Sequence, residues 1–175
     1  YPKNIGIITS ADSHALQDVL SKLKDRFPLA NIIIYPSLVQ GNEAAKNLIS
    51  QLQRSNEEKY ADVLMLIRGG GSLEDLMVFN DEDLAREIYR SSIPIVTGIG
   101  HQPDVTIADY VADASMETPT AAAVFITPDK YELVERLLVY DEQIKSNTLI
   151  RLSKLKDKYI TIINNINLYH PKNII

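Results

Sequence analysis

A run of glycines directly after an apolar segment is the feature of this sequence best suited to chemistry. Arg68 ends the apolar run 62–67. It is followed by Gly69, Gly70, Gly71 and Ser72. Successive glycines let neighbouring backbone N–H groups converge on an anion, and a guanidinium offers a planar, permanently charged fork for phosphate oxygens. The segment therefore predicts a phosphate-binding loop, and a flexible turn with a surface arginine is the simpler alternative.

A histidine in a second glycine-containing segment is the best candidate for proton transfer. His101 lies in the segment 98–103, three residues before Asp104. Histidine titrates near neutral pH, and a nearby carboxylate can orient its ring for general acid or base catalysis. The alternative is a loop histidine that only hydrogen-bonds to backbone. The other two histidines, His14 and His170, are interpreted as surface residues of helices.

Carboxylates supply weaker candidates. Asp104, Asp109 and Asp113 invite a metal site, but neither a cysteine nor a second histidine accompanies them, so we expect none. Asp18 lies four residues after His14 in a predicted helix, and its position alone favours a residue at the boundary of the apolar stripe. From the residues alone, we infer an anion-binding cleft, with hydrolysis or transfer at phosphorus as its chemistry.

Short β-branched runs that alternate with helical patterns must position these residues. Strands are predicted at 4–9, 31–35, 62–67 and 94–99, and the helices between them include 44–52 and 81–89. This alternation is typical of parallel βαβ units with helices on both faces. We therefore expect a doubly wound α/β fold whose open, mostly parallel sheet has at least four strands. Ligands bind beyond the carboxyl ends of such strands, and each polar, glycine-rich segment follows a strand.

The pattern changes after residue 112. Thr118 and Thr127 each precede a proline, an arrangement typical of a helix N-cap followed by proline at the first helical position. Thr118 is predicted to open a short helix, and Thr127 a long one over about 129–169. A helix of about 40 residues spans about 60 Å, so we expect it to project from the α/β domain. The predicted division is a catalytic domain at 1–127, the long helix at 128–170 and a tail at 171–175.

The second half of the long helix carries a heptad seam. Its apolar residues step by four and three: Leu152, Leu155, Tyr159, Ile162 and Ile166. Such a seam predicts pairing with another helix, from a second copy of this chain or from another subunit. The basic residues Arg151, Lys154, Lys156 and Lys158 would flank that contact.

Composition excludes several classes of protein. The 175 residues are 45% hydrophobic and 23% charged, which fits one globular domain with an appendage. Cysteine is absent, which excludes disulfides, thiolate metal sites and a cysteine nucleophile and fits a reducing compartment. No apolar run approaches the roughly 18 residues of a spanning helix, so no membrane partner is expected. Residues 1–127 carry 10 basic and 17 acidic side chains, which argues against a strongly basic nucleic-acid binder.

Five segments, in order and spacing, resemble the catalytic domain of the exonuclease VII large subunit family. They are IGIITSADSHALQDVL, YPSLVQG, VLMLIRGGGSLEDLMVFNDEDLAREI, IPIVTGIGHQPDVTIADYVAD and TPTAAAV. The resemblance covers about residues 2–126 and continues into the long helix. Gln102 and Pro103 depart from the family's usual residues at those positions, whereas Asp104 is kept.

The resemblance implies an exodeoxyribonuclease that degrades single-stranded DNA from its ends to short oligonucleotides in the cytoplasm. It implies no obligatory divalent metal, a small helical subunit on the long helix, and an OB-fold domain outside this sequence, which would make the chain a fragment. The family's functional residues fall on Asp18, Arg68, His101 and Asp104.

The resemblance also implies roles for these residues. Arg68 and the glycine amides would stabilise charge on the phosphate, and His101 would move a proton. Whether Asp104 or Asp18 orients the histidine, and which activates water, stays open. The alternatives are a non-catalytic module that binds a nucleotide or phosphate, and a purely structural dimerisation domain.

Overall fold

The computed structural model describes residues 1–70, 73–100 and 105–168. Within these ranges the chain forms one five-stranded sheet in the order β2-β1-β3-β4-β5, with every neighbouring pair parallel. The strands are β1 Asn4–Thr9, β2 Asn31–Pro36, β3 Val63–Ile67, β4 Ile95–Gly98 and β5 Ala114–Ser115. The predicted doubly wound, mostly parallel sheet is confirmed. The two-residue strand β5 was not predicted, because so short a segment has no periodicity.

Helices cover both faces of this sheet. They are α1 His14–Arg26, α2 Ala44–Glu58, α3 Leu73–Leu76, α4 Glu82–Arg90, α5 Ile107–Val111, α6 Pro119–Ile126 and α7 Lys130–Leu168. A 3-10 turn at Met77–Asn80 links α3 to α4. The second helix is six residues longer than predicted, and it ends at Lys59, whose φ of 52° is left-handed and whose N–H donates to the Ser55 carbonyl.

Alternating side chains of the strands divide the core into two clusters. Ile5 and Ile7 of β1 pack on the face covered by α1 and α6, whereas Ile8 packs on the face covered by α2, α4 and α5. All residues of β3 are buried, which explains why its sequence is apolar throughout and does not alternate.

The strand that follows β1 along the chain lies to one side of the β1–β3 pair, and the strand that follows β3 lies to the other side. The carboxyl ends of β1 and β3 therefore form the topological switch point, where ligands bind in folds of this kind.

Side-chain caps fix the helix starts. Asp81 Oδ1 accepts a hydrogen bond from the Leu84 N–H at 2.9 Å and caps α4. The preceding residue, Asn80, accepts a hydrogen bond from the Ile107 N–H at 2.8 Å and ties the 3-10 turn to α5. The predicted Thr118 cap of α6 is confirmed, with a 3.0 Å bond from the Ala121 N–H to Oγ1.

The predicted cap at Thr127 is wrong. Helix α7 begins at Lys130, and the Thr127 hydroxyl donates to the Ala123 carbonyl at 2.6 Å, so it closes the end of α6. A threonine hydroxyl can bond to the carbonyl four residues earlier as readily as it can cap a following helix. The Thr-Pro pair alone did not distinguish the two arrangements.

By its contacts the chain divides into two compact units, Tyr1–Lys130 and Tyr131–Ile175. The second unit consists of α7 in its described part. The apolar residues of its predicted seam are all exposed: Leu152, Leu155, Tyr159, Ile162 and Ile166. None of the helices described in this structure has the length and apolar character needed to cross a membrane.

Candidate active site

A cavity of about 570 Å³ opens at the switch point between β1 and β3. Four segments form its wall: the loop after β1 with the first turns of α1, residues 38–40 after β2, residues 68–70 after β3, and residues 118–120 at the start of α6. The cavity therefore lies where the sheet topology places ligands. Of the predicted site residues, Asp18, Arg68, Gly69 and Gly70 line it together.

Helix α1 presents two polar side chains to this cavity. Ser13 caps the helix, with its Oγ accepting from the Leu16 N–H at 3.1 Å. Ala15, Leu16 and Val19 are buried against the sheet. His14 and Asp18 are four residues apart, so they share a face one turn from each other, and both line the cavity as exposed side chains. This gives Asp18 the cavity position that its spacing alone did not favour.

Arg68 is the buried charge of the site. Only 4% of Arg68 is exposed. Its backbone N–H donates to the Gly98 carbonyl at 3.2 Å, which fixes the residue at the end of β3. Its Nη2 donates to Oδ2 of Asp75 in α3 at 3.2 Å. A buried charge needs such a partner. A guanidinium is planar, and the geometry of its N–H donors matches carboxylate and phosphate oxygens.

Two helix N-termini converge on the cavity. Ser13 and His14 of α1 line it on one side, and Thr118, Pro119 and Thr120 of α6 on another. The first turn of a helix exposes N–H groups and carries partial positive charge, so it attracts anions. With the guanidinium of Arg68, these ends make an environment that favours phosphate.

Gly98 allows close packing beside this cavity, and Gly69 lies in contact with α1. A Cβ added to Gly98 would lie 3.0 Å from both the Pro119 Cα and the Thr118 carbonyl oxygen, so the start of α6 rests directly on the end of β4. A Cβ on Gly69 would lie 3.4 Å from the Ala15 Cβ. The loop after β3 therefore approaches α1 closely at the predicted phosphate-binding segment.

Two of the three aspartates considered as metal ligands have structural roles. Asp109 Oδ1 accepts from the hydroxyls of Thr97 at 2.6 Å and Ser115 at 2.9 Å, while Oδ2 completes a capping box with Thr106. Asp113 accepts from the Ile95 N–H at 2.8 Å. These bonds tie α5 to β4 and β5. Among residues 1–70, 73–100 and 105–168, no group of three or more His, Cys, Asp or Glu side chains could hold a metal ion.

The remaining predicted site residues lie outside the described residues. They are Gly71, Ser72, His101 and Asp104, and Gln102, Pro103 and His170 lie outside as well. Strand β4, which precedes His101, ends at Gly98.

Several cavity residues were not predicted. His14 was interpreted as a surface residue, and Ser10, Ser13 and Thr120 were not singled out. The spacing of four residues between His14 and Asp18, on a helix that follows a strand, could have predicted that His14 lines the cavity. Ser10 could have been found from its place directly after β1, Ser13 from its place before α1, and Thr120 from its place in the first turn of a helix that begins with proline. Asp75, the partner of Arg68, had no signal, because a spacing of seven across a loop has no preferred geometry.

Fold and cavity define a doubly wound α/β domain with a polar cavity at its switch point. The family model described as "Exonuclease VII, large subunit" matches residues 1–175. The exodeoxyribonuclease 7 large subunit of Lysinibacillus sphaericus (strain C3-41) is 46% identical over 166 residues, covering 91% of this chain and 37% of that protein. That of Legionella pneumophila (strain Lens) is 58% identical over 132 residues, 75% of this chain and 30% of that protein. The chain belongs to the exonuclease VII large subunit family.

The chain spans about a third of the length of the curated relatives it matches. Among solved structures, it is similar to the receiver domain of the histidine kinase CKI1 from Arabidopsis thaliana, with a TM-score of 0.41 and 15% identity over 70% of this chain and 87% of that one. At this TM-score, the similarity carries no weight for function.

Proposed function

We propose that this protein is the catalytic part of an exodeoxyribonuclease that hydrolyses phosphodiester bonds of single-stranded DNA from its ends to short oligonucleotides. The observation that carries the proposal is the placement of Arg68 and Asp18 in one cavity with two helix N-termini. The membership of the family supports the choice of DNA as substrate. A phosphodiester is an anion whose charge moves during hydrolysis, so a site with fixed positive groups and a carboxylate suits both its binding and its reaction.

The proposed roles follow from the chemistry of each group. Arg68 and the N–H groups of Gly69 to Gly71 bind the phosphate and stabilise charge on its oxygens, with Ser72 beside them. His101 transfers a proton to or from the attacking water or the leaving oxygen. Asp18 and Asp104 share the tasks of orienting the histidine and activating water.

We propose that no divalent metal is obligatory for the reaction. The guanidinium, the helix N-termini and the loop amides together supply positive electrostatic potential at the phosphate. Hydrolysis in the presence of a chelator tests this point directly. If EDTA abolished the activity and magnesium or manganese restored it, the reaction would require a divalent metal.

We propose that α7 binds the exonuclease VII small subunit through its seam, or pairs with a second copy of this chain. The exposed fractions of Leu152, Leu155 and Tyr159 are 57%, 56% and 65%. An apolar stripe of this kind marks an interaction site. The proposed location of the assembly is the cytoplasm, which suits a chain without cysteine.

The test uses the full-length large subunit assembled with its small subunit. Single-stranded oligonucleotides labelled at one end or the other are incubated with and without EDTA. We expect both labels to be released in short products under both conditions, and His101→Ala to stop shortening more than it weakens binding. Binding without any shortening by the parent assembly would instead support the non-catalytic nucleotide- or phosphate-binding module.

A further inference from the structure

A second concavity, a groove of about 890 Å³, adjoins the cavity described above. It shares Asp18, Thr118 and Thr120 with that cavity, so the two spaces meet along these residues. Helices α1 and α6 form its two sides, and both begin at the cavity. The groove therefore leads away from the candidate active site along two helices that run in the same direction.

One side of the groove carries a cation at a defined distance from the site. Lys22 follows Asp18 by four residues on the same face of α1, a rise of about 6 Å along the helix, and both line the groove. Farther along, Asp25 pairs with Lys130 at 3.2 Å. Lys22 itself forms no ion pair within the part of the chain that the structure describes. Lys22 thus lies one helical turn beyond Asp18, the carboxylate that we propose takes part in catalysis.

The α6 side of the groove becomes apolar beyond Thr120. Phe125 lies near the end of α6, and 58% of it is exposed although it is a large aromatic residue. Met116 and Val124 line the same groove and are half-buried. An exposed aromatic ring beside a cation is the combination on which single-stranded nucleic acids bind, since bases stack on the ring and phosphates contact the amine.

We propose that this groove is a subsite for the nucleotides next to the scissile phosphate, with Lys22 on the neighbouring phosphate and Phe125 against a base. The proposal rests on the proposed function, because it takes the cavity as the place of cleavage. Residues 1–127 are acidic overall, so this segment offers no general positive field to the strand. Local contacts of this kind would hold the strand in line with the cavity.

The phosphate contact is tested by the salt dependence of binding. Phosphorothioate single strands, chosen to slow cleavage, are titrated onto the full-length assembly at several salt concentrations. Lys22→Ala should reduce the slope of log K against log salt by about 0.7, the value for one lost contact to a single strand. Lys24→Ala is the matched control, because Lys24 is on the same helix, is exposed and does not line the groove. Equal slopes for the two variants would overturn the contact.

The position of the contact is tested by removing single charges from the DNA. Strands with one neutral methylphosphonate linkage at successive positions are given to the parent and to Lys22→Ala. We expect the linkage next to the scissile one to slow the parent but to have no further effect on Lys22→Ala. If the two proteins respond alike at every position, Lys22 contacts no phosphate there.

The base contact is tested with abasic sites. Phe125→Ala should weaken binding of the single strand by about tenfold, within the range for one base stacked on an aromatic ring. In this variant, an abasic site at the stacked position should weaken binding no further. Phe125→Leu, which keeps an apolar side chain, should behave like Phe125→Ala if stacking matters. Tyr89→Ala is the control, since Tyr89 is an aromatic residue of α4 that is 79% exposed. Unchanged binding by both Phe125 variants would overturn the stacking contact.

The outcomes separate this proposal from the proposed function. If the parent assembly cleaves single strands but the Lys22 and Phe125 variants match their controls, the groove proposal fails alone. If the parent binds single strands through Lys22 and Phe125 but never cleaves them, the proposed function fails and the groove remains a binding site.

Discussion

Arg68 and Asp75 form an ion pair across the loop that follows β3, with 3.2 Å between Nη2 and Oδ2. The arginine side chain is 4% exposed and the aspartate side chain 32% exposed. The pair joins the end of the central strand to helix α3. It thereby fixes the side chain of Arg68, a residue that lines the cavity where we propose that phosphate binds.

Asp75→Asn should weaken substrate binding while the fold loses only part of its stability. The neutral amide keeps a hydrogen-bond acceptor but loses the charge that orients Arg68. Because Asp75 is partly exposed, we expect a stability loss of about 1–2 kcal/mol, less than for a fully buried pair. Steady-state kinetics of the full assembly should show a raised KM. An unchanged KM for single-stranded DNA would mean that Asp75 does not position Arg68.

Gly98→Ala should destabilise the α/β unit. The new Cβ would lie 3.0 Å from backbone atoms of Thr118 and Pro119, so α6 must shift away from β4. Overpacking of this kind costs about 1–3 kcal/mol. Gly70→Ala is the matched control, since no atom of the described residues lies within 4 Å of a Cβ at that position. Thermal unfolding should show a lower Tm for the first variant only, and equal Tm values would contradict the close approach.

Asp62 should contribute stability that depends on pH. Its carboxylate accepts backbone N–H bonds from Lys3 and Asn4 at 2.7 and 2.8 Å, and these bonds, that of Asn4 first, lower the pKa of Asp62 below its ordinary 3.8. A lowered folded-state pKa means that the contribution is present above the unfolded-state pKa and is lost as pH falls through the folded value.

Asp62→Asn should therefore be less stable than the parent near pH 6, and the difference should narrow below about pH 4, where the unfolded aspartate takes up its proton. Urea unfolding of both proteins across this range measures the effect. A difference in stability that stays constant with pH would contradict it.

Leu155→Asp combined with Ile162→Asp should weaken assembly while the α/β unit stays folded. Burying each of these side chains is worth about 1.5–3 kcal/mol, and a charge in the seam removes that contribution. Ile150→Asp with Asn164→Asp is the control, because these positions lie opposite the seam in the heptad. Sedimentation with the small subunit decides the matter: assembly of the seam variant equal to that of the control would rule out the seam as the interface.

The sheet was predictable because its strands are short, β-branched and separated by helices. The segment 4–9 contains three isoleucines and the segment 62–67 is apolar after its first residue, and both contain buried strands. Strand β5 was not predicted because it has only two residues, and it lies beside β4 where Asp109 and Asp113 hydrogen-bond to Thr97 and Ile95. That is a tertiary effect with no local pattern.

The candidate site was predictable only where its residues follow strands. Arg68 and its glycines could be placed at the carboxyl edge from topology alone. His14 and Thr118 reach the same cavity because α1 and α6 pack side by side, a contact between segments about 100 residues apart. Asp75 was not predicted for the same reason, since its ion pair with Arg68 is a tertiary contact that the sequence pattern does not indicate.

The most direct test of the central claim is the single-turnover rate of cleavage of a single-stranded oligonucleotide by the full-length assembly carrying Arg68→Ala. Arg86→Ala is the control, since Arg86 is a surface arginine paired with Glu82 in α4. If the cavity is the place of hydrolysis, loss of its buried guanidinium should slow cleavage by about 10²–10³-fold, the usual cost of removing a group that stabilises transition-state charge. Arg86→Ala should cleave at the parent rate. Cleavage by Arg68→Ala at the parent rate would contradict the assignment of this cavity as the active site.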